Sequence, residues 1–194
     1  MRQSRALFSL IPGFLDAATC RRIRLAMRRG AAEPAEVLER VEDLDQEARR
    51  AFDIDVDPET LGIVESTLDA AREGIGARHG LSLTTREGSG FLSYGPGGHY
   101  RRHVDHAVDE SFPDASRRRI SAVLFLNSSR PGLRTGEFSG GELVIYPERA
   151  VDDADDPIVI VPEEGTLVTF FSATAHEVKA VTAGVRDVVV DWYY

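Results

Sequence analysis

From Leu81 to the end, the chain breaks into short β-like runs: "LSLTT" (81–85), "GFLSYG" (90–95), "ISAVLFLN" (120–127), "GELVIY" (141–146), "PIVIVP" (157–162), "GTLVTFF" (165–171), "HEVKAV" (176–181) and "VRDVVVDWYY" (185–194). Gly, Pro, Asp and Ser punctuate them, as they do between strands. So many short strands at close spacing are best satisfied by a sandwich or jelly-roll barrel, because closure removes long unpaired edges. That architecture is the expectation for residues 81–194.

The first part of the chain has a helical period instead. After the apolar run "LFSLIPGFL", Asp16 is placed to cap a helix reaching about Arg29, with Cys20, Ile23 and Met27 on one face and Gly30 as its stop. Residues 31–50 are charge-rich and lack one apolar stripe, which predicts an exposed, mobile segment with at most a short helix after Pro34. The strongest helical pattern follows. Asp57 is the N-cap, Pro58 the first helical residue, and Leu61, Val64, Leu68, Ala71 and Ile75 form a stripe that ends at Gly80. Helices followed by strands imply an α+β chain. At 194 residues it fits one domain, with residues 1–80 as mainly helical support on one outer face of the barrel.

Charge and cysteine content narrow the partners. The net charge is -9, and Lys179 is the only lysine among many arginines, so no nucleic-acid partner is expected. Cys20 stands alone, which rules out an intramolecular disulfide and the Cys-rich zinc patterns. No sustained apolar h-region and no apolar stretch of about 18 residues is present, so no membrane association is expected and the reading is cytoplasmic.

The chemistry concentrates in "GHYRRHVDHAV", residues 98–108, which holds three of the five histidines. In an extended segment His103 and Asp105 emerge on one face, and both can reach one ion inside a barrel. His176 opens another run some seventy residues later, on a strand that a barrel can bring alongside. Two imidazoles and a carboxylate on one side of a metal leave open positions opposite, the arrangement of non-haem Fe(II) oxygenases. Arg186 follows His176 by ten residues, across a Thr-Ala-Gly turn that would return it to the same cavity as a hairpin. A guanidinium buried there needs an anion, and a dicarboxylate would supply one through a bidentate contact.

In order and spacing, "YGPGGHYRRHVD", "RRISAVLFLN", "FSGGELVIYPE" and "GTLVTFFSATAHEVKAVTAGVRDVVVDWYY" resemble the prolyl-4-hydroxylase-like branch of the Fe(II)- and 2-oxoglutarate-dependent dioxygenases. The resemblance implies a double-stranded β-helix, a cupin-like jelly roll, with supporting N-terminal helices. It implies Fe(II) on His103, Asp105 and His176, with 2-oxoglutarate and O2 as co-substrates. Arg186 would then anchor the distal carboxylate of 2-oxoglutarate and Tyr94 would line its pocket. Tyr100 matches a position near the substrate, with Arg101 and Arg102 as further candidates at the mouth. Phe125 is a departure, since several relatives carry there a tyrosine whose hydroxyl touches the distal carboxylate. Either another residue, Thr169 or Tyr94, compensates for that hydroxyl, or co-substrate affinity is weaker.

The implied reaction hydroxylates an aliphatic C–H bond and releases succinate and CO2, with a prolyl residue of a peptide or protein as the expected target. A free amino acid or small metabolite is the alternative substrate, and a non-catalytic metal-binding jelly roll is the alternative of another class. His99 and His106 fit no ligand position, and His79 reads as a structural histidine at a helix end. Gly140 and Gly141 read as a tight turn or bulge, Trp192 as a core aromatic, and "AVDESFPDASR" (107–117) as either a lid or an exposed connector. Substrate identity and oligomeric state carry no signature in the sequence.

Overall fold

The last run of the sequence forms the longest strand, β14 (Arg186–Tyr193), and its alternation sorts side chains between two cores. Val188 faces one of them, while Val189 and Tyr193 face the other. The computed structural model describes residues 7–35, 47–107, 112–132, 134–147 and 156–194.

β14 lies at the centre of a seven-stranded antiparallel sheet. On one side it pairs with β7 (Ile120–Phe125), which continues to β11 (Leu167–Phe171) and β1 (Phe8–Ile11). On the other it pairs with β5 (Gly90–Tyr94), followed by β4 (Phe52–Ile54) and β2 (Ala32–Pro34). A second sheet has the order β10 (Ile158–Ile160), β9 (Leu143–Ile145), β12 (His176–Val178), β6 (His99–His103) and β3 (Arg49–Arg50). The two sheets enclose the first core, where Phe125, Val168, Phe170 and Val188 meet Leu143, Ile145 and Val178. This is a double-stranded β-helix.

The second core lies between the outer face of the large sheet and two helices. α1 (Ala17–Met27) starts where the Asp16 carboxylate accepts the Thr19 N–H at 2.8 Å, and it buries Cys20, Ile23 and Met27. α2 (Pro58–His79) starts from Asp57, which accepts the Thr60 N–H at 2.9 Å, and ends at the left-handed Gly80, φ 65°. Val64, Leu68 and Ile75 are buried as the period requires. Leu61 is not: at 37% exposure it stands off the sheet, and Thr60, bonded to the cap through its hydroxyl, takes the inward position. The Tyr193 hydroxyl donates to the Leu68 carbonyl at 2.9 Å and ties β14 to α2.

Three expectations change. Residues 1–80 supply four short strands besides their helices, and β3 enters the second sheet within a stretch expected to be exposed. "LSLTT" forms no strand, because Leu81 and Leu83 pack toward the helices while Arg86 is drawn to Asp191 and Asp69 beside the end of β14. Instead of a Thr-Ala-Gly turn, β13 (Val181–Gly184) pairs with β8 (Phe138–Gly140), so the chain crosses between sheets before Arg186. Pro113–Arg117 is the short helix α3. Residues 36–46, 108–111 and 152–155, which include parts of the expected mobile segment, candidate lid and acidic loop, lie outside the described residues. Among the described residues no helix is long and apolar enough to cross a membrane.

Candidate metal centre

Antiparallel pairing of β12 with β6 puts His176 directly opposite His103. Asp105 follows the end of β6, fixed by its own N–H, which donates to the Ser172 carbonyl at 2.9 Å. The three side chains converge: His103 Nε2 lies 3.4 Å from Asp105 Oδ1, and His176 Nε2 lies 3.5 Å from Oδ2. Their ligand atoms all fall within 4.8 Å of one another, close enough to hold one metal ion.

Each histidine is also oriented from behind. His103 Nδ1 sits 2.7 Å from the Arg101 carbonyl and His176 Nδ1 sits 3.0 Å from the Thr174 carbonyl. A carbonyl only accepts, so both imidazoles carry their proton on Nδ1 and turn the Nε2 lone pair inward, as a metal ligand must. Burial lowers the pKa of His176, which favours that neutral form. The Ser121 hydroxyl donates to Asp105 Oδ2 at 2.6 Å. Burial alone would raise the Asp105 pKa, but His176, His103 and Ser121 hold it well below the usual carboxylate range. The site thus offers a carboxylate and two imidazole nitrogens, a borderline donor set suited to divalent iron or zinc.

Arg186 faces the core between the two sheets from the large sheet, beside Tyr94 and Phe125. It is 1% exposed, with its Cζ 4.9 Å from the Tyr94 ring centre and 5.5 Å from that of Phe125. Its Nε and Nη2 have no hydrogen-bond partner among the described residues. These two atoms form one edge of the guanidinium fork, the edge that grips a carboxylate with two parallel bonds. Burial pulls the Arg186 pKa down while Tyr94 pushes it back up. A buried guanidinium edge left without acceptors is costly, and an anion is the kind of group that would satisfy it. Gly141 makes room for it: at φ 67°, a Cβ there would stand 2.9 Å from Arg186 Cδ.

The other candidates separate. A bulge in β6, where His176 and Val178 face His103 and Tyr100, brings Tyr100 onto the ligand face, and its ring stacks on His103 with centres 3.4 Å apart. Tyr94 lines the cavity beside Arg186. Arg101 is exposed, near Glu47, and Arg102 lies over the Tyr146 ring at 4.0 Å, on the outside of the second sheet. Thr169 is a correction: its hydroxyl meets His79 Nε2 at 2.8 Å in the helix-side core, while its neighbours Val168 and Phe170 face the barrel. Its hydroxyl is therefore turned away from the side of the sheet on which Phe125 and Arg186 meet.

Two contributors escaped sequence reasoning. Ser121 sits in an apolar run with no local sign of its role. Arg49 lies in the stretch expected to be exposed, yet pairing of β3 with β6 sets it opposite Tyr100, with its Cζ 4.7 Å from that ring.

Comparison with known proteins follows these positions. Residues 89–194 match the sequence model of the 2OG-Fe(II) oxygenase superfamily. A PKHD-type hydroxylase of Picosynechococcus sp. is 35% identical over 102 residues, 53% of this chain and 39% of that protein. One from Stenotrophomonas maltophilia is 35% identical over 103 residues, 53% of this chain and 40% of that protein. The chain therefore spans well under half the length of these relatives. The crystal structure of a Pseudomonas putida prolyl-4-hydroxylase aligns over 96% of this chain and 91% of its own, with a TM-score of 0.73 and 27% identity. A prolyl hydroxylase from Trichoplax adhaerens, solved with a hypoxia inducible factor peptide fragment, shares the fold over 97% and 83% with a TM-score of 0.74 and 22% identity. A match over more than half of the chain, across the strands that carry the cluster, makes this protein a member of the 2OG-Fe(II) oxygenase superfamily, and its cofactors are those of the family: Fe(II), 2-oxoglutarate and O2.

Proposed function

We propose that the protein is a dioxygenase that hydroxylates an aliphatic C–H bond of a prolyl residue in a peptide or protein, converting 2-oxoglutarate to succinate and CO2. The observation that carries this reading is Arg186, a buried guanidinium with an open Nε–Nη2 edge, in the same barrel as a His-Asp-His cluster. A structural metal site would have no use for it. In this reading His103, Asp105 and His176 hold the iron, and Arg186 grips the distal carboxylate of 2-oxoglutarate. Tyr94 provides the polar contact that Phe125 cannot. Bound there, Fe(II) would activate O2, and 2-oxoglutarate would supply two of the four electrons that O2 takes up, the C–H bond supplying the other two.

The protein's own share is placement. Tyr100 packs against His103 and fixes its ring plane, and Phe170 meets the His176 ring edge-on at 4.6 Å. These apolar walls limit water around the reacting atoms, which strengthens every charge interaction among them. The prolyl target is supported by the Pseudomonas putida prolyl-4-hydroxylase, which aligns over nearly the whole chain. One observation favours a small acidic substrate instead: a second arginine, Arg49, at the site.

The test is succinate formation from 2-oxoglutarate by anaerobically purified protein given Fe(II) and then air. Wild type is expected to turn over slowly without substrate, and His176→Ala and Arg186→Ala to lose at least a hundredfold. Wild type that makes no succinate, and binds no 2-oxoglutarate when loaded anaerobically with Fe(II), would leave the non-catalytic metal module as the reading.

A further inference from the structure

Asp105 differs from the other two ligands in what supports it. His103 and His176 lie on paired strands, whereas Asp105 stands just beyond the end of β6. Its N–H is taken by the Ser172 carbonyl and its Oδ2 by the Ser121 hydroxyl, which leaves the backbone carbonyl. That carbonyl accepts a hydrogen bond from a side chain: Arg118 Nη1 donates to it at 3.3 Å. The contact is reciprocal, since His106 Nδ1 sits 3.2 Å from the Arg118 carbonyl. Residues 106–119 connect β6 to β7, and these two contacts close the base of that connection beside the ligand.

Arg118 is itself held by one edge and one face. Glu87 takes its Nε–Nη2 edge with both carboxylate oxygens, Nε lying 2.6 Å from Oε2. The guanidinium lies on the Trp192 ring, with Cζ 3.7 Å from the ring centre. Glu87 is anchored in turn to the end of β14. Its N–H donates to the Trp192 carbonyl at 2.8 Å, and the Tyr194 hydroxyl donates to its Oε2 at 2.9 Å. A guanidinium is a rigid planar fork, so fixing an edge and a face aims the remaining nitrogen, Nη1. Arg118 is 8% exposed, and a buried ion pair roughly cancels its own desolvation cost, so the pairing with Glu87 contributes direction more than stability.

We propose that Arg118 is a positioning residue for the metal centre: braced against β14 by Glu87 and Trp192, it fixes the backbone of Asp105 so that the carboxylate keeps its alignment with both imidazoles. Its role is exercised entirely through Asp105. The inference rests on the His-Asp-His cluster as the metal site and is independent of the substrate.

The sign of the effect separates positioning from charge. Removing a cation near a metal site while leaving Glu87 behind tightens metal binding by Coulomb's law. Losing a group that orients a ligand weakens it, by roughly 10–100-fold. Mn(II) binding to the metal-free protein is measured by calorimetry, at a temperature where circular dichroism shows each variant folded, so that lost stability does not enter. Arg118→Met keeps the length of the side chain and its packing on Trp192, and is expected to bind Mn(II) about tenfold more weakly than wild type. Arg118→Lys keeps the charge without the fork, and is expected to recover part of that loss while remaining about threefold weaker than wild type. With Mn(II) saturating, both should bind 2-oxoglutarate within about threefold of wild type, because Arg186 is untouched.

Mn(II) binding that is unchanged or tighter in Arg118→Met would overturn the proposal, because Arg118 would then act only as a charge or as a support of the fold. Should Arg118→Met not fold, Arg118→Lys decides, and binding equal to wild type overturns it. A variant that loses 2-oxoglutarate as Arg186→Met does, with the metal in place, would also overturn it, since the damage would extend beyond Asp105. Failure of the dioxygenase reading looks different: wild type would bind Mn(II) through His176 but bind no 2-oxoglutarate, and the role of Arg118 would be judged on the metal alone. Wild type that binds Mn(II) no better than His176→Ala would remove both conclusions.

Discussion

At the scale of the residue, what matters is which face of a strand a side chain takes. Thr169 illustrates it: "LVTFF" is apolar on both faces, so nothing in the run says whether the hydroxyl points into the barrel or toward the helices. The structure resolves this through His79, a buried partner ninety positions away. Thr169→Val keeps the shape and removes the hydrogen bond, and should cost about 1–2 kcal/mol in urea unfolding, since a buried group loses its partner. Its affinity for 2-oxoglutarate should stay within twofold of wild type. A loss like that of Arg186→Ala would return Thr169 to the pocket. The convergence of His103, Asp105 and His176 and the burial of Arg186 were legible because their pattern is local: a two-residue spacing, a strand opening, an arginine ten positions on. Ser121 and Arg49 were not, because each acquires its role only through the strand laid beside it.

At the scale of the element, the helices were the most legible part and the connections between sheets the least. Asp16 and Asp57 cap α1 and α2 as their sequences indicate, since a cap and its first turn are written within four residues. The path from β12 to β14 depends instead on which sheet each strand joins. One contact between elements joins the outer layer to the site. Asp187, fully buried on β14, receives Arg24 Nε at 3.0 Å, Arg28 Nη2 at 2.5 Å and the Ser93 hydroxyl at 2.8 Å. α1 is thereby fastened to the strand position next to Arg186. Asp187→Ala should destabilise by about 3 kcal/mol, the low end for breaking a buried pair, because both arginines are partly solvated. Equilibrium unfolding measures that loss, and a cost near zero would mean that α1 is held by its apolar face alone.

At the scale of the whole molecule, the two sheets enclose a core that also holds charged side chains. Ligands that bind only the folded form stabilise it in proportion to the logarithm of their concentration, by about 2.7 kcal/mol at a hundred times Kd. For a chain of this size, each kcal/mol is about 2–4 °C in Tm. Mn(II) and 2-oxoglutarate together should therefore raise Tm by several degrees, and EDTA should reverse the gain. Arg186→Ala should keep the increment from the metal and lose the one from 2-oxoglutarate, which scanning calorimetry can separate. The jelly roll itself was legible from the density of short strands, whereas the contribution of β1 to β4 was hidden in segments too short to show alternation.

The consecutive pair Arg186 and Asp187 has one more effect. Because successive side chains on a strand point to opposite faces, slipping β14 by one position would exchange them. A carboxylate would then face the core between the sheets, where Arg186 now lies, and a guanidinium would be pressed against Arg24 and Arg28 of α1. The first swap buries a carboxylate among Tyr94 and Phe125, and the second brings like charges together. The valines that follow, "VVV", would tolerate either alignment, whereas this charged doublet, like the buried Asp191 paired with Arg86 further along the strand, disfavours the slipped one.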